Sequence, residues 1–493
     1  MAVLKLSTPG VYVQEISTFP PSIAEVETAI PAFIGYTEKA LHPSKGDLTN
    51  LPTKIASYNE YQRYYGNPQT ETDDSITVSV TDDGYANFVV SINPVKGKPS
   101  NYNLAYAIQH YFDNGGATCY IVSVGDYKAA IIDSKKLVTG LSYIENIDEV
   151  TLLSIPEAAV SGGYSDVIQA SINQAAKLKD RFALIDPEKA TLQDQTYPMG
   201  DIDNDVTLIR TAAAGDPESL RYAAAYYPNL STTYGRNFTD SATNKLIDIT
   251  IDVYSFQPVD AKDTNAKDLT LILQGKVLKQ SVDSGSVLYG KIIYALQQNT
   301  VTLPPSPAIA GLYARVDQNK GVWKAPANES LYFVSSPTVA ISDIQQQNLN
   351  IDSTAGKSIN AIRSFPGRGT LVWGARTLNG NDNEWRYISV RRFFNMAEES
   401  VKKSSHWAVF EPNTIGTWVK IQAMIENYLF LKWRDGALAG VKPEQAFYVH
   451  VGLGTTMNAQ DILEGRMNVE IGMAVARPAE FIVLKFSQLL QQS

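Results

Sequence analysis

The run from about 102 to 227 most narrows the folds open to this chain. Leu104, Ile108, Tyr111 and Phe112 fall at helical spacing, and Gly115-Gly116 closes that helix. An apolar strand follows at Cys119 to Val124, then a second at Val150-Thr151-Leu152-Leu153-Ser154-Ile155. Ile168, Ile172, Ala175 and Ala176 share one face of the next helix, before the strands Phe182-Ala183-Leu184-Ile185-Asp186 and Tyr222 to Tyr227. Strands without polar alternation, separated by amphipathic helices, must be buried on both faces. This predicts an α/β unit with a mixed, largely parallel sheet covered on each side. The same texture resumes near 290 and runs to about 375.

The remainder is read as additions to that unit. Residues 1–25 form an extended N-terminal arm, and 26–45 supply part of the inner core through the apolar run Ala29 to Tyr36. Residues 46–100 read as a β-rich insertion: Ile76, Val78 and Val80 alternate with polar residues, Asp82-Asp83-Gly84 turns, and Phe88 to Ile92 returns. The α/β domain proper spans 101–375, interrupted by a second β insertion at 232–290. There Ile247, Ile249, Ile251 and Val253 alternate with Asp248, Thr250 and Asp252, and Leu269, Leu271 and Leu273 repeat the pattern. Residues 376–477 form an α+β C-terminal domain. It has helices at 387–404 and 414–433 and short strands at His406–Phe410 and Phe447–Val451. Residues 478–493 form a C-terminal arm.

Both ends carry β-prone runs with no neighbouring run to pair with. Val11, Tyr12, Val13, Gln14, Glu15 and Ile16 lie between Pro9 and Pro20-Pro21, while Phe481, Ile482, Val483, Leu484, Lys485 and Phe486 precede only a polar tail. Open strands of this kind are a hazard unless something pairs with them. Each either tucks into its own sheet or adds to the sheet of another copy, and the proline-rich arm favours the second. Fully extended, a 20-residue arm spans roughly 65 Å at about 3.3 Å per residue, enough to reach another subunit.

Composition excludes several classes. With 493 residues, 44% of them hydrophobic and 19% charged, the chain is globular and large enough for several cores. Its 27 tyrosines against 16 phenylalanines suit interfaces that stay soluble before they form. A net charge of −9 leaves no basic footprint, so no nucleic-acid partner is expected. No run approaches the ~18 apolar residues of a membrane span, so direct membrane insertion is not expected either. Met1 to Leu6 is too short for a signal-peptide core. Cys119 stands alone, which rules out an intramolecular disulfide and fits folding in a reducing cytoplasm.

No motif assembles into chemistry. His42, His110, His406 and His450 are isolated from other metal-ligand types at ligand spacing. Gly356-Lys357-Ser358 resembles the end of a phosphate loop, but Ile351 stands where that loop needs glycine. Asp201, Asp203 and Asp205 open like a calcium loop, yet Val206 and Ala212 occupy its glycine and glutamate positions, so a solvated acidic turn is expected. Gly454-Thr455-Thr456-Met457 resembles a subtilisin nucleophile strip with threonine for serine, and no partner histidine and aspartate accompany it. Arg368 and Arg376 sit among glycines and are read as turns whose arginines meet a carboxylate across an interface. No catalytic, cofactor-binding or metal-ligating residue is assigned, and no cofactor is expected.

Six stretches, in order along the chain, resemble one family. They are TPGVYVQEISTFPPSIAEVETAIPAFIGYTEKA, AIQHYFDNGGATCYIVSV, PPSPAIAGLYARVDQNKGVWKAPAN, INAIRSFPGRGTLVWGARTL, NEWRYISVRRFFNMAEESVKKSSHWAVFEPN and GALAGVKPEQAFYVHVGLGTTMNAQDILEGRMNVEIGMAVARPAEFIVLKF. Together they resemble the tail sheath proteins of contractile phage tails and phage-like contractile injection systems. The resemblance implies a subtilisin-like, non-catalytic α/β domain, insertions on the outer surface and a C-terminal domain facing an inner tube. It implies that terminal strands are lent to adjacent subunits, which places Val11–Ile16 and Phe481–Phe486 in intersubunit sheets. It implies stacked hexameric rings that contract on a baseplate trigger, with other copies, the inner tube protein, and baseplate and terminal cap proteins as partners. Lys420, Glu426 and Lys432 are the candidate tube-facing residues. The particle would be assembled in the bacterial cytoplasm, as a phage tail or as a tail-like particle released from the cell. The alternatives are an α/β enzyme or small-molecule binder, or another tail or baseplate component.

Overall fold

The computed structural model describes residues 22–73, 76–93, 100–129, 131–188, 202–241, 243, 245–258, 266–352 and 354–485. The chain divides into two compact units. The larger holds Glu27–Met396 and the chain from Arg477 on; the smaller holds Ala397–Ala476 and the segment ending at Val26.

Nine strands make the main sheet of the larger unit: β1 (Pro31–Thr37), β2 (Thr53–Ile55), β3 (Cys119–Asp126), β4 (Leu152–Ser154), β5 (Phe182–Ile185), β6 (Ala223–Tyr227), β7 (Glu329–Ser330), β8 (Ile359–Phe365) and β9 (Gly369–Val372). They lie in the order β7-β9-β8-β6-β5-β4-β1-β3-β2. The block from β3 to β8 is parallel throughout, while β2 adds antiparallel to β3, β9 to β8, and β7 to β9. Numbered along the chain, the parallel block runs 2-1-3-4-5-6, a doubly wound order. The expected mixed, largely parallel sheet is therefore present.

Both faces of the block are apolar because each meets a helix layer. On one side Ile34, Val122, Leu153 and Ile185 pack with Leu137, Ile168 and Ile209 of the helices Ser134–Ile144, Tyr164–Leu178 and Ile202–Ala212. On the other, Phe33, Ile121, Phe182 and Tyr226 pack with Tyr61, Ile108 and Tyr313 of the helices Tyr58–Tyr65, Leu104–Asp113 and Ser306–Lys320. Side-chain caps start two of these helices: Ser57 accepts from Glu60 N, and Asp133 from Lys135 N.

Carboxyls close the C-terminal edge of the block. Glu157, in the turn after β4, is fully buried; its Oε2 accepts from Tyr36 N at 2.8 Å and its Oε1 from Leu104 N at 3.3 Å. Gly35 permits this approach, since a Cβ there would lie 2.7 Å from Oε2. Asp186, just past β5, accepts from Ser306 N at 2.7 Å and from the Ser306 hydroxyl. A buried ion pair fastens the chain just before β1. Arg392, 4% exposed, pairs with Asp317 and donates to Thr28 O at 2.9 Å, and the Thr28 hydroxyl donates to Asp317 at 2.6 Å.

The two segments read as insertions divide differently. Within 46–100, β2 and the helix Tyr58–Tyr65 belong to the main sheet and its core, because β2 pairs with β3 and Tyr61 and Tyr65 enter that core. The strands Thr77–Asp82 and Val89–Asn93 instead join Ile249–Phe256 and Val277–Leu278 in one four-stranded sheet. Ile76, Val78, Val80, Ile249, Ile251 and Ile292 form its separate core. The alternation breaks after Ile251: the register shifts, Asp252 accepts from Val78 N at 2.8 Å, and Tyr254 rather than Val253 is buried. Residues 270–273 are a helical turn, not a strand, with Leu271 fully exposed and Leu273 buried.

The smaller unit is α+β. Its helix Ile415–Arg434 buries Trp418, Ile421, Met424, Ile425, Tyr428 and Leu429. The expected strand at His406–Phe410 is a 3-10 turn, His406–Ala408, followed by Phe410 at φ 67° with its ring in solvent. Phe447–Val451 is a strand as expected, paired antiparallel with Val469–Met473 from Phe447↔Met473 to Val451↔Val469.

Burial pushes the Glu157 carboxyl up to about 8, against its backbone N–H donors, and pushes Asp186 up to about 7, against Ser306. Both therefore favour the neutral form in the fold, whereas the unfolded chain ionises them near about 4. Their stabilisation is complete below that value and is lost as pH rises through the folded values. Melting temperatures of unassembled subunits should fall between about pH 5 and pH 8, and Glu157→Gln should flatten the slope. In chemical denaturation at neutral pH, Asp317→Asn should cost about 3–5 kcal/mol, because it strands a buried guanidinium. Breaking the half-exposed Lys54–Glu149 pair should cost less than about 1 kcal/mol.

Candidate assembly interface

The side chains weighed for chemistry make local structural contacts. His110 is buried, its Nε2 3.1 Å from Tyr332 O, and desolvation lowers its pKa to about 4. His42 Nδ1 accepts from Ser44 N and Lys45 N, and the His450 ring stacks on Tyr448 at 4.8 Å. Lys357 Nζ donates to Arg210 O at 2.6 Å and the Ser358 hydroxyl to Asn350 O, so that glycine turn braces its neighbours. Asp201 lies outside the described residues. Asp203 and Asp205 are helical rather than in a solvated turn, and buried Asp205 accepts from the Tyr227 hydroxyl at 2.8 Å. Thr456 belongs to the smaller unit, not to the unit that holds the main sheet, and its hydroxyl donates to Asn468 O. The Cys119 thiol is buried, which raises its pKa. Among the described residues no cluster of His, Cys, Asp and Glu could hold a metal ion. A cavity of about 790 Å³ at the ends of β1 and β3 mixes Glu38, Asp47 and Asp126 with Lys39, Lys128 and Lys136, matching no single ligand class.

The tails are different. Val11, Tyr12, Val13, Gln14, Glu15, Ile16 and Phe486 lie outside the described residues, but both roots are visible. At the N-terminal root, Ala24 N donates to Ser404 Oγ at 3.2 Å, Val26 N to Ser400 Oγ at 3.1 Å, and Glu25 pairs with Lys432. At the C-terminal root, Glu480 receives Arg376, Asn350 and Tyr387. Arg376 thus meets a carboxylate of its own chain, not one across an interface; Arg368 donates to Asn328 Oδ1. Past Glu480, Phe481, Ile482, Val483 and Leu484 are 70%, 79%, 78% and 72% exposed. Residues Phe481 to Lys485 have no regular secondary structure and no strand partner among the described residues. Each large apolar side chain left in water forgoes about 1.5–3 kcal/mol of burial.

The hairpin of the smaller unit is a two-stranded sheet, so each strand keeps one edge without a strand partner among the described residues. Its strand Phe447–Val451 packs against the helix Ile415–Arg434, the kind of support a two-stranded sheet needs in water. On the helix Ile415–Arg434, Lys420 is exposed and Glu426 partly exposed, the latter accepting from Gln422 Nε2 at 2.8 Å. Lys432 does not join them: it is 9% exposed and turned to Glu25. At about 100° per residue it lies about 120° round the helix from Lys420, on the buried stripe of Ile421 and Ile425. The outward face instead shows Ile415, Val419 and Phe430.

The family model of the phage tail sheath C-terminal domain matches residues 380–488. The tail sheath protein of Enterobacteria phage T4 is 27% identical over 186 residues, which is 37% of this chain and 27% of that protein. The chain thus spans about a quarter of that relative. Likeness to solved structures runs end to end. A chain of the contracted helical sheath of the anti-feeding prophage is 30% identical with a TM-score of 0.62, covering 98% of this chain and 99% of that one. The chain belongs to the tail sheath proteins of contractile phage tails and phage-like contractile injection systems. The sheath complex of PVC, an extracellular contractile injection system, in its contracted state contains a chain 28% identical to this sheath protein. Its TM-score is 0.62, and the match covers 98% of each chain. Sheath relatives indicate a structural rather than an enzymatic protein.

The outward and inward faces of the sheath helix Ile415–Arg434 are separable by mutation. Val419→Asp should change stability by no more than about 0.5 kcal/mol, while Ile425→Asp should cost over about 3 kcal/mol in a denaturant titration. Unfolding by Val419→Asp would contradict the assignment of faces.

Proposed function

We propose that this sheath protein polymerises as stacked hexameric rings around an inner tube and shortens on a baseplate signal to drive that tube through a target envelope. Two observations carry the proposal: the exposed run Phe481–Leu484 in the larger unit and, in the smaller, a two-stranded hairpin whose outer edges have no strand partner among the described residues. An extended apolar segment and an open sheet edge are complementary: the segment supplies the missing strand and buries its side chains in the same step. Each main-chain hydrogen bond so formed adds about 1 kcal/mol net, and a covalently tethered strand stays attached while rigid bodies rotate. Val11–Ile16 and Phe481–Phe486 are read as the strands lent to other copies.

The α/β unit is read as a subtilisin-like sheet without protease groups, supported by its parallel, two-sided core. The partners are other copies, the inner tube protein, and baseplate and cap proteins. The tube-facing proposal keeps Lys420 and Glu426 and drops Lys432, which is buried against Glu25. The work of contraction comes from the free-energy difference between extended and contracted packing, with no nucleotide involved. Assembly takes place in the bacterial cytoplasm.

Deleting residues 1–20, or separately 481–493, should leave the melting temperature of the subunit nearly unchanged and abolish striated cylinders in negative-stain electron microscopy. Normal cylinders from either truncated protein overturn the arm assignment at that end.

A further inference from the structure

The root of the C-terminal arm is built more heavily than a passive exit requires. The Glu480 carboxylate receives Arg376 Nε at 3.0 Å and Asn350 Nδ2 at 2.8 Å on Oε1, and Arg376 Nη2 at 2.7 Å and the Tyr387 hydroxyl at 3.2 Å on Oε2. The fork geometry of arginine fixes direction as well as distance. Arg376 is itself held: its side chain is 5% exposed, and Nη1 donates to the carbonyls of Asn350 at 3.3 Å and Gly380 at 3.4 Å. Buried Asn360 of β8 grips the Arg376 backbone from both sides, accepting from its N at 2.8 Å and donating to its O at 2.8 Å. Asn360 Nδ2 also lies 3.1 Å from Ala225 O of β6. Hydrogen bonds therefore run without a break from β6 and β8, at one side of the parallel block, to Glu480, and the next residue is 70% exposed.

We propose that Glu480 is the pin that fixes where and in which direction the C-terminal arm leaves its subunit, so that residues 481–486 reach a second copy from a defined point on the sheet. This rests on the arm reading above. A tether that starts at a fixed point holds its strand at a higher effective concentration near its target than one that starts several residues earlier. A pull on the arm during subunit movement would end on Arg376 and β8 rather than on a loose tail. Glu480 is a positioning residue in this scheme; the strand itself lies beyond it.

The test uses the full chain, Glu480→Ala and Glu480→Gln, with the 481–493 deletion alongside. In unassembled subunits, a spin label on Leu484→Cys reports arm motion directly, since the native Cys119 is buried. Label mobility should rise in Glu480→Ala and partly in Glu480→Gln, at a melting temperature near that of the parent. Without the label, the protein concentration needed for cylinders should rise several-fold. Should Glu480→Ala fail to fold, the isosteric Glu480→Gln decides. If the deletion blocks cylinders but both Glu480 variants polymerise at the parent concentration, the pin is overturned while the arm stands. If the deletion polymerises normally, the arm reading itself falls.

Discussion

Two-sided burial of the parallel block is the constraint on which the rest of the molecule depends. Ile34 and Phe33 are neighbours in β1, yet they enter different cores, each roofed by its own helices. A sheet covered on both faces can grow only at its ends. Those ends are β2 and β7, of three and two residues. At the C-terminal edge, where open α/β sheets usually receive ligands, Glu157 and Asp186 are tied to backbone N–H groups of the same chain. These two carboxyls thus satisfy backbone donors of the same chain at that edge.

The incomplete parts lie outside it. Four large apolar side chains past Glu480 stay in water, and a hairpin in the smaller unit stops at two strands. In the assembly proposed above, each would supply what the other lacks. A bonded path from Asn360 through Arg376 to Glu480 ties the root of the C-terminal tail to β8 and β6. Under the proposed exchange, lending a strand need not loosen the body that lends it.

The fold was legible where a single periodicity decided it. Apolar runs at 119–124, 150–155 and 182–186 could be nothing but buried strands, and the helices 388–404 and 415–434 announced themselves by their stripes. Legibility failed where the partner is distant. Nothing local tells Thr77–Asp82 that it will pair parallel with Ile249–Phe256, so one insertion read as two. His406–Phe410 has strand composition, but no neighbouring strand meets it and a turn results. The misplacement of Lys432 was avoidable, since its angle on the helix puts it among Ile421 and Ile425. Glu480 was missed because its meaning lies in Arg376, an arginine already recognised as wanting a carboxylate.

The sequence by itself determined the doubly covered sheet, the amphipathic helices and the β-prone tails, because side-chain periodicity and burial are local properties of a chain. Only the tertiary structure decided which strands pair across long separations, which carboxyls seal the sheet edge, and that Arg376 closes on Glu480. Those contacts depend on register and distance between segments far apart in the chain, and no local pattern encodes them.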